Sequence, residues 1–342
     1  MAEKAPPLLL PGFVSAHSHA FQRTLRGRAA GSDFWAWREV MLAEAEGQTV
    51  ESVRVGYEAT YAELLEAGYT AVGEFHYLGV EEALAAAEAG RAAGIALVLL
   101  YAAYERGGLE RFRQRSVAEY IEHVQRLREA GVPVGLAPHS VRACSREWLE
   151  QIGSYARQEA LVLHVHADEQ PREIEECVAE HGLRPIELLA DLGCLGPLTT
   201  VVHATHASDR ELDLLATSGA RVCLCPTTEA DLGDGFVPVT RLRERAIPLC
   251  IGSDSNVRID PLEELRELEG TARRQSGRRG VIPVGDLLAI GSESGAQALG
   301  LTEWPQVEVD LTHRSLLGVD PEHVRGALIS SCSADALKPV PA

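Results

Sequence analysis

No stretch of this 342-residue chain is long and apolar enough to span a bilayer. The opening MAEKAPPLLLPGF has only a short apolar stretch, broken by prolines, so no secretory signal peptide is expected. The seven cysteines are scattered and form no CxxC pair. Cys223 and Cys225 fall in an apolar run and read as core, so no intramolecular disulfide is expected. The compartment that fits is a reducing cytoplasm. Positive charge is short: 32 Lys and Arg stand against 50 Asp and Glu, a formal net charge of −18. Such a surface repels nucleic acid and anionic membranes, which removes both as general partners. It also obliges an anionic substrate to find its cations in a local pocket. The glycine-containing DLGDG (231–235) lacks the lysine and Ser/Thr of a phosphate-binding loop. No Ser-His-Asp or Cys-His arrangement stands out, and there is no low-complexity tract or linker.

What is present is a repeated rhythm. Eight continuous apolar runs, GFVSAH (12–17), TAVGEF (70–75), IALVLLY (95–101), VPVGLAP (132–138), ALVLHVH (160–166), TTVVHA (199–204), ARVCLC (220–225) and IPLCIG (247–252), have the pattern of strands buried on both faces. Between them lie helix-forming segments. VEEALAAAEAGRAAG (80–94) and SVAEYIEHVQRLREAG (116–131) end in glycine, and SREWLEQIGSYARQE (145–159) opens on a serine cap. Strands alternating with helices predict an α/β fold, a parallel (β/α)8 TIM-type barrel, with an open doubly wound sheet as the alternative. The polar residues favour the barrel. His17, His19, His76, Tyr77, Tyr104, His139, His166, His203, Thr227 and Asp254 all fall at or just past the C-terminal ends of the runs, the catalytic face of such barrels. The first crossover, about fifty residues with SDFWAWREVM (32–41), is either a lid or an extra helix packing Trp35 and Trp37 on the flank. The barrel is expected over 12–300, after a short lead of 1–11 and before a tail of 301–342 in which QVEVDL (306–311) reads as one strand.

His17 and His19 are two residues apart on a strand and so share a face. Two imidazoles placed this way can meet one ion at about 2.0–2.1 Å each. His166 ends the fifth run and would point into the same mouth. Glu169, three residues on, is a candidate proton carrier, or simply an acid at a helix start. His203 ends the sixth run with His206 in its loop, either of them able to orient water. Asp254 follows the eighth, as a ligand or as a helix cap. His123, His181, His313 and His323 read as surface residues.

The order HxH, H, H, D on the first, fifth, sixth and eighth strands resembles the mononuclear deaminase branch of the amidohydrolase superfamily. The resemblance implies one divalent metal, usually zinc with iron as the alternative, on His17, His19, His166 and Asp254. It implies Glu169 as proton shuttle, with His203 and Asp254 assisting at the water. No lysine ends the fourth strand, where the binuclear branch carries one, which favours a single metal. HSHAFQR (17–23), FWAWRE (34–39), EFHY (74–77), APHSVRA (137–143), HVHADEQ (164–170), VHATHA (202–207), TEADLGDG (228–235) and GSDS (252–255) together look like the formimidoylglutamate deiminase family. That family converts N-formimino-L-glutamate to N-formyl-L-glutamate and ammonia in histidine degradation. The likeness implies a dicarboxylate pocket of Gln22, Arg38, Tyr77, His139 and Arg142, with the two arginines as bidentate carboxylate partners. Read without the resemblance, Arg38 is an arginine stacked on Trp35 or Trp37 and Arg142 a helix-side ion pair. Two other functions stay open: a deaminase of an aminated heterocycle such as guanine, and a non-catalytic degenerate barrel.

Two departures from the family pattern stand out. The superfamily's small β-sandwich is expected to be missing or vestigial, because only about eleven residues precede the first strand and the tail is short. The barrel surface this leaves bare implies a homodimer. Asn256 occupies a position where the family often has histidine, which is expected to weaken outer support of Asp254.

Overall fold

The computed structural model describes residues 7–28 and 31–340; residues 1–6 of the expected lead lie outside the described residues. In chain order the strands are β1 (Leu8–Pro11), β2 (Phe13–Ser18), β3 (Tyr69–His76), β4 (Ala96–Ala103), β5 (Val134–Pro138), β6 (Leu163–Ala167), β7 (Thr199–His203), β8 (Arg221–Leu224), β9 (Leu249–Ile251), β10 (Gln306–Val309) and β11 (Leu337–Pro339). The eight expected runs are β2 to β9. They pair in parallel, each with the next in sequence. Every residue of β2, β3 and β5 to β9 is buried, which is why these runs carry no polar alternation.

The sheet closes between its last and first strands. Ser18 and Asp254 form a parallel bridge, Asp254 N donates to His17 O (3.0 Å) and His19 N to Asp254 O (2.8 Å). This closure makes the sheet a barrel rather than an open doubly wound sheet. The same hydrogen bonds join the two segments expected to supply metal ligands.

The helix signals act where the sequence places them. Ser116 caps Val117–Glu129 by accepting from Glu119 N, and Ser145 caps Arg146–Glu159 by accepting from Trp148 N. Gly94 ends Val80–Ala93 at φ +85°, the left-handed conformation that favours glycine. The long first crossover holds α1 (Phe34–Glu46) and α2 (Val50–Glu66). Asp33 caps α1 through Ala36 N, and Thr49 with Ser52 forms a reciprocal capping box on α2.

The two ends of the chain meet. β1, β10 and β11 make a three-stranded antiparallel sheet in the order β1-β10-β11. QVEVDL contains the central strand of this sheet. The sheet is tied to the barrel where β2 begins: Gly12 N donates to Pro305 O (3.1 Å) and Trp304 Nε1 to Gly12 O (2.9 Å). All seven cysteines are free and buried, as core residues should be. Among the described residues no helix is long and apolar enough to cross a membrane.

Candidate metal centre and active site

The C-terminal ends of the barrel strands bring three imidazoles to one point. His17 Nε2 lies 3.1 Å from His19 Nε2 and 3.1 Å from His166 Nε2. The other nitrogens fix two tautomers. His19 Nδ1 donates to Phe75 O (2.9 Å) and His166 Nδ1 to His139 O (3.0 Å), since a carbonyl can only accept. Both Nε2 atoms therefore present lone pairs. His17 Nε2 carries at most one hydrogen, which can satisfy only one of its two neighbours. Burial lowers the pKa of His17, takes that of His19 down to about 3 and puts that of His166 well below its ordinary value, so all three stay neutral. Three neutral nitrogens this close repel one another unless a cation lies between them. Asp254 Oδ1 sits 3.6 Å from both His17 Nε2 and His19 Nε2, at the edge of this cluster. The spacing suits ligands that meet one ion at about 2.0–2.1 Å.

The backbone around this cluster is strained. Asp168, His203, Ala204, Asp254 and Asn256 all have positive φ without being glycine, and all lie at or past the C-terminal ends of barrel strands. Gly252 must be small for a different reason. A Cβ there would lie 2.7 Å from His17 O and 2.8 Å from His17 Cβ. Asn256, the departure from the family's histidine, is hydrogen-bonded to the segment that carries Asp254. Its Nδ2 donates to Asp254 O (3.1 Å) and Ser18 Oγ (3.1 Å), and its Oδ1 accepts from Ser253 Oγ (2.8 Å). It holds the backbone of Asp254 from a fully buried position.

Beside the cluster lies a group of acids around His203. His203 Nε2 is 3.7 Å from Glu169 Oε1 and 3.7 Å from Asp254 Oδ2, while its Nδ1 is 3.4 Å from Glu229 Oε1. Burial alone would lower its pKa, but the facing carboxylates of Glu169, Glu229 and Asp254 lift it to about 10. Burial pushes Glu169 up to about 7, opposed by His203 and Arg142. Asp254 moves the other way: burial raises its pKa, but the adjacent His17 ring and the charged His203 outweigh burial and hold it well below the usual carboxylate range. Glu169 therefore has the titration range of a proton carrier, and Asp254 that of a permanent anion.

The cluster opens into a cleft at the mouth of the barrel. All five expected pocket residues, Gln22, Arg38, Tyr77, His139 and Arg142, line it together with Glu169, His203 and Asp254. Gln22 Nε2 donates to Tyr77 Oη (2.8 Å), which leaves Gln22 Oε1 buried without a partner. His139 stacks on His166 at 4.7 Å between ring centres. Arg142 makes the helix-side ion pair that the sequence reading allowed, its Nε meeting Glu173 Oε1 at 3.4 Å, and does so from within the cleft. Helix α1 forms part of the cleft wall through Phe34, Trp37, Arg38, Met41 and Leu42. The arginine that covers Trp35 is Arg172, with Cζ 4.5 Å above the ring, and not Arg38.

Several residues take other places than the sequence suggests. His206 donates from Nε2 to Asp234 O (2.8 Å) and so braces a loop instead of orienting water. Thr227 is engaged with Glu264 through both its N (3.0 Å) and its Oγ1 (2.5 Å). His123, His181 and His313 are half-buried; only His323 of those four is exposed. Three acids were not singled out by sequence: Glu173, Glu229 and Asp234. Glu173 Oε2 accepts from Glu169 N (3.2 Å) while its other oxygen faces Arg142. The signal for Glu173 was weak, an acid one helical turn after Glu169. Glu229 and Asp234 lie in TEADLGDG, which reads as a loop until β8 is seen to aim it at His203.

The model of the amidohydrolase family matches residues 8–304. Formimidoylglutamate deiminase of Pseudomonas aeruginosa is 38% identical over 335 residues, covering 87% of this chain and 74% of that protein. A 5-methylthioadenosine/S-adenosylhomocysteine deaminase of Halobacterium salinarum is 30% identical over 303 residues, covering 86% and 69%. The fold also superposes on the crystal structure of an adenosine deaminase from Xanthomonas campestris with bound zinc. That match has a TM-score of 0.86 and 25% identity, and covers 97% of this chain and 80% of that one. A barrel with histidines and an aspartate gathered at its mouth, matched over most of its length, places this chain in the amidohydrolase family.

Proposed function

We propose that the protein is a zinc-dependent deiminase that hydrolyses N-formimino-L-glutamate to N-formyl-L-glutamate and ammonia. The observation that carries the reading is the pair Arg38 and Arg142 in one cleft with the histidine–aspartate cluster. In a chain of net charge −18, two arginines lining one small cleft suit a dicarboxylate, and a neutral ring has no use for them. The likeness to the Pseudomonas deiminase supports the same substrate; the likeness to nucleoside deaminases supports the general reaction, water replacing nitrogen at an amidine-like carbon.

His17, His19, His166 and Asp254 would hold the metal. A bound divalent ion supplies Lewis-acid activation of water, lowering its pKa to about 7. The chain's own groups do the rest. Arg38 and Arg142 hold the glutamate carboxylates, and Gln22 Oε1, lacking a partner, is free to accept an N–H of the substrate. Glu169 takes a proton from the attacking water and passes it to the nitrogen that departs. The C–O bond forms, the C–N bond to the terminal nitrogen breaks, and the amidinium and water become formamide and ammonium.

The test is ammonia release from N-formimino-L-glutamate by zinc-loaded protein, followed with a coupled dehydrogenase assay. Rapid release that a chelator abolishes is the expected result. A metal-bearing protein that releases none would move the reading to a heterocycle deaminase, and a folded protein without metal would leave a degenerate barrel. Gly252→Ala tests the ligand geometry: by displacing His17 it is expected to reduce zinc affinity about 10–100-fold, read by competition with a chromophoric chelator. Wild-type affinity in that variant would remove His17 from the ligand set.

A further inference from the structure

Glu74 is a fully buried acid on β3 that no step above uses, and it does not line the cleft. Successive strand residues leave opposite faces of a sheet. Phe75 turns to the metal cluster, its ring centre 5.1 Å from that of His17 and 4.6 Å from that of His166. Glu74 therefore points away from the mouth, where it can touch neither metal nor substrate. A carboxyl buried behind a barrel wall is costly unless it is hydrogen-bonded, and each oxygen of this one has a donor. Oε2 accepts from Ser18 Oγ (3.1 Å) and Oε1 from Ala20 N (2.8 Å).

These two donors flank His19, and Ser18 stands between His17 and His19. Phe75, the next residue of β3, accepts from His19 Nδ1 through its carbonyl (2.9 Å). Neighbouring residues of one strand thus hold the backbone on either side of His19 and the ring of His19 itself. The hold continues to the segment after β9. Asp254 O can only accept, so the nitrogen of the Asn256 amide faces it (3.1 Å), and the second hydrogen of that nitrogen goes to Ser18 Oγ (3.1 Å). Ser18, accepting there, gives its single hydrogen to Glu74. The line from Asp254 through Asn256 and Ser18 ends on a group that must accept at both of its oxygens, which a carboxylate does and an amide does not.

We propose that Glu74 is a positioning residue for the metal centre: it fixes the turn that carries His17 and His19 and ties that turn, through Ser18 and Asn256, to the segment that carries Asp254. The inference rests on the metal-binding part of the proposed function and is independent of the substrate. A turn locked before the ion arrives presents its imidazoles in place, and releasing the lock lowers metal affinity.

Two readouts test this. One is zinc affinity, by competition with a chromophoric chelator. The other is the visible spectrum of the cobalt(II)-substituted protein, whose bands follow ligand geometry. Glu74→Gln keeps the outline, but an amide offers one oxygen to two donors, and one hydrogen bond is lost whichever way it lies. It is expected to bind zinc about tenfold more weakly, with shifted cobalt bands. Ser18→Ala removes the same bond from its other end and is expected to weaken zinc binding by at least as much. Because the two variants share one bond, the double variant is expected to match Ser18→Ala within about twofold instead of showing the product of the two losses. Wild-type zinc affinity and cobalt bands in a folded Glu74→Gln, even with a lowered melting temperature, would assign Glu74 to the fold alone and overturn the proposal. If Glu74→Gln does not fold, unchanged affinity and bands in Ser18→Ala overturn it equally, as do losses that multiply in the double variant. A wild-type protein that binds neither zinc nor cobalt would remove the metal reading itself, and this inference with it.

Discussion

Glu169→Gln is expected to keep its metal and lose turnover by about 10³-fold, within the 10²–10⁴ range of general acid–base catalysis. Glu169 stands 3.7 Å from His203, and its backbone N–H is held by Glu173, so the carboxyl is placed without being a ligand. Glutamine has nearly the same outline but cannot carry a proton. Metal content by atomic absorption and kcat from ammonia release, measured on one preparation, check the result. Unchanged kcat would remove Glu169 from proton transfer. The same residue sets a pH dependence. Its carboxyl must be ionised to accept the proton of the attacking water, and burial raises its pKa to about 7. Wild-type kcat/KM is therefore expected to fall as pH drops below about 7, because protonation removes the base. A profile flat from pH 5 to 8 would contradict this assignment.

Arg142→Ala is expected to lower kcat/KM for N-formimino-L-glutamate by about 10²–10³-fold, roughly 3–4 kcal/mol, while an amino-substituted heterocycle would be affected within about threefold if it were turned over at all. The guanidinium lies in the cleft with only its Nε engaged, on Glu173, and its two terminal nitrogens can grip a carboxylate together. Its removal takes away a cation in a protein that has few of them, and frees a fully buried Glu173 from its partner. Arg142→Lys separates the two effects: it keeps the charge beside Glu173 but not the fork, so a recovery of stability without a recovery of kcat/KM identifies bidentate binding. Equal losses on dicarboxylate and heterocycle substrates would argue that Arg142 serves the fold alone.

The repeat and the order of its polar ends can be read along the chain. Continuous apolar runs, caps at Ser116 and Ser145 and a stop at Gly94 are local signals, and local backbone physics reads them directly. The order of His17, His19, His166, His203 and Asp254 at strand ends was legible for the same reason: a parallel barrel turns position at a strand end into position at one mouth. Closure of the barrel emerges on folding, because the Ser18–Asp254 bridge joins residues 236 positions apart, and no local signal announces it. Folding also decided which nitrogens of the histidines face inward, since that depends on the carbonyls of Phe75 and His139. It made α1 a wall of the cleft, and it set Arg172 rather than Arg38 on Trp35. Asp234 and Glu229 were least visible of all. A loop of Asp, Gly and Leu looks solvated in one dimension; it becomes a buried acid pair only when β8 and the hydrogen bond from His206 turn it inward beside His203. Contacts between distant segments carry no periodicity, and a side chain's role in them is fixed by the neighbours that folding brings to it.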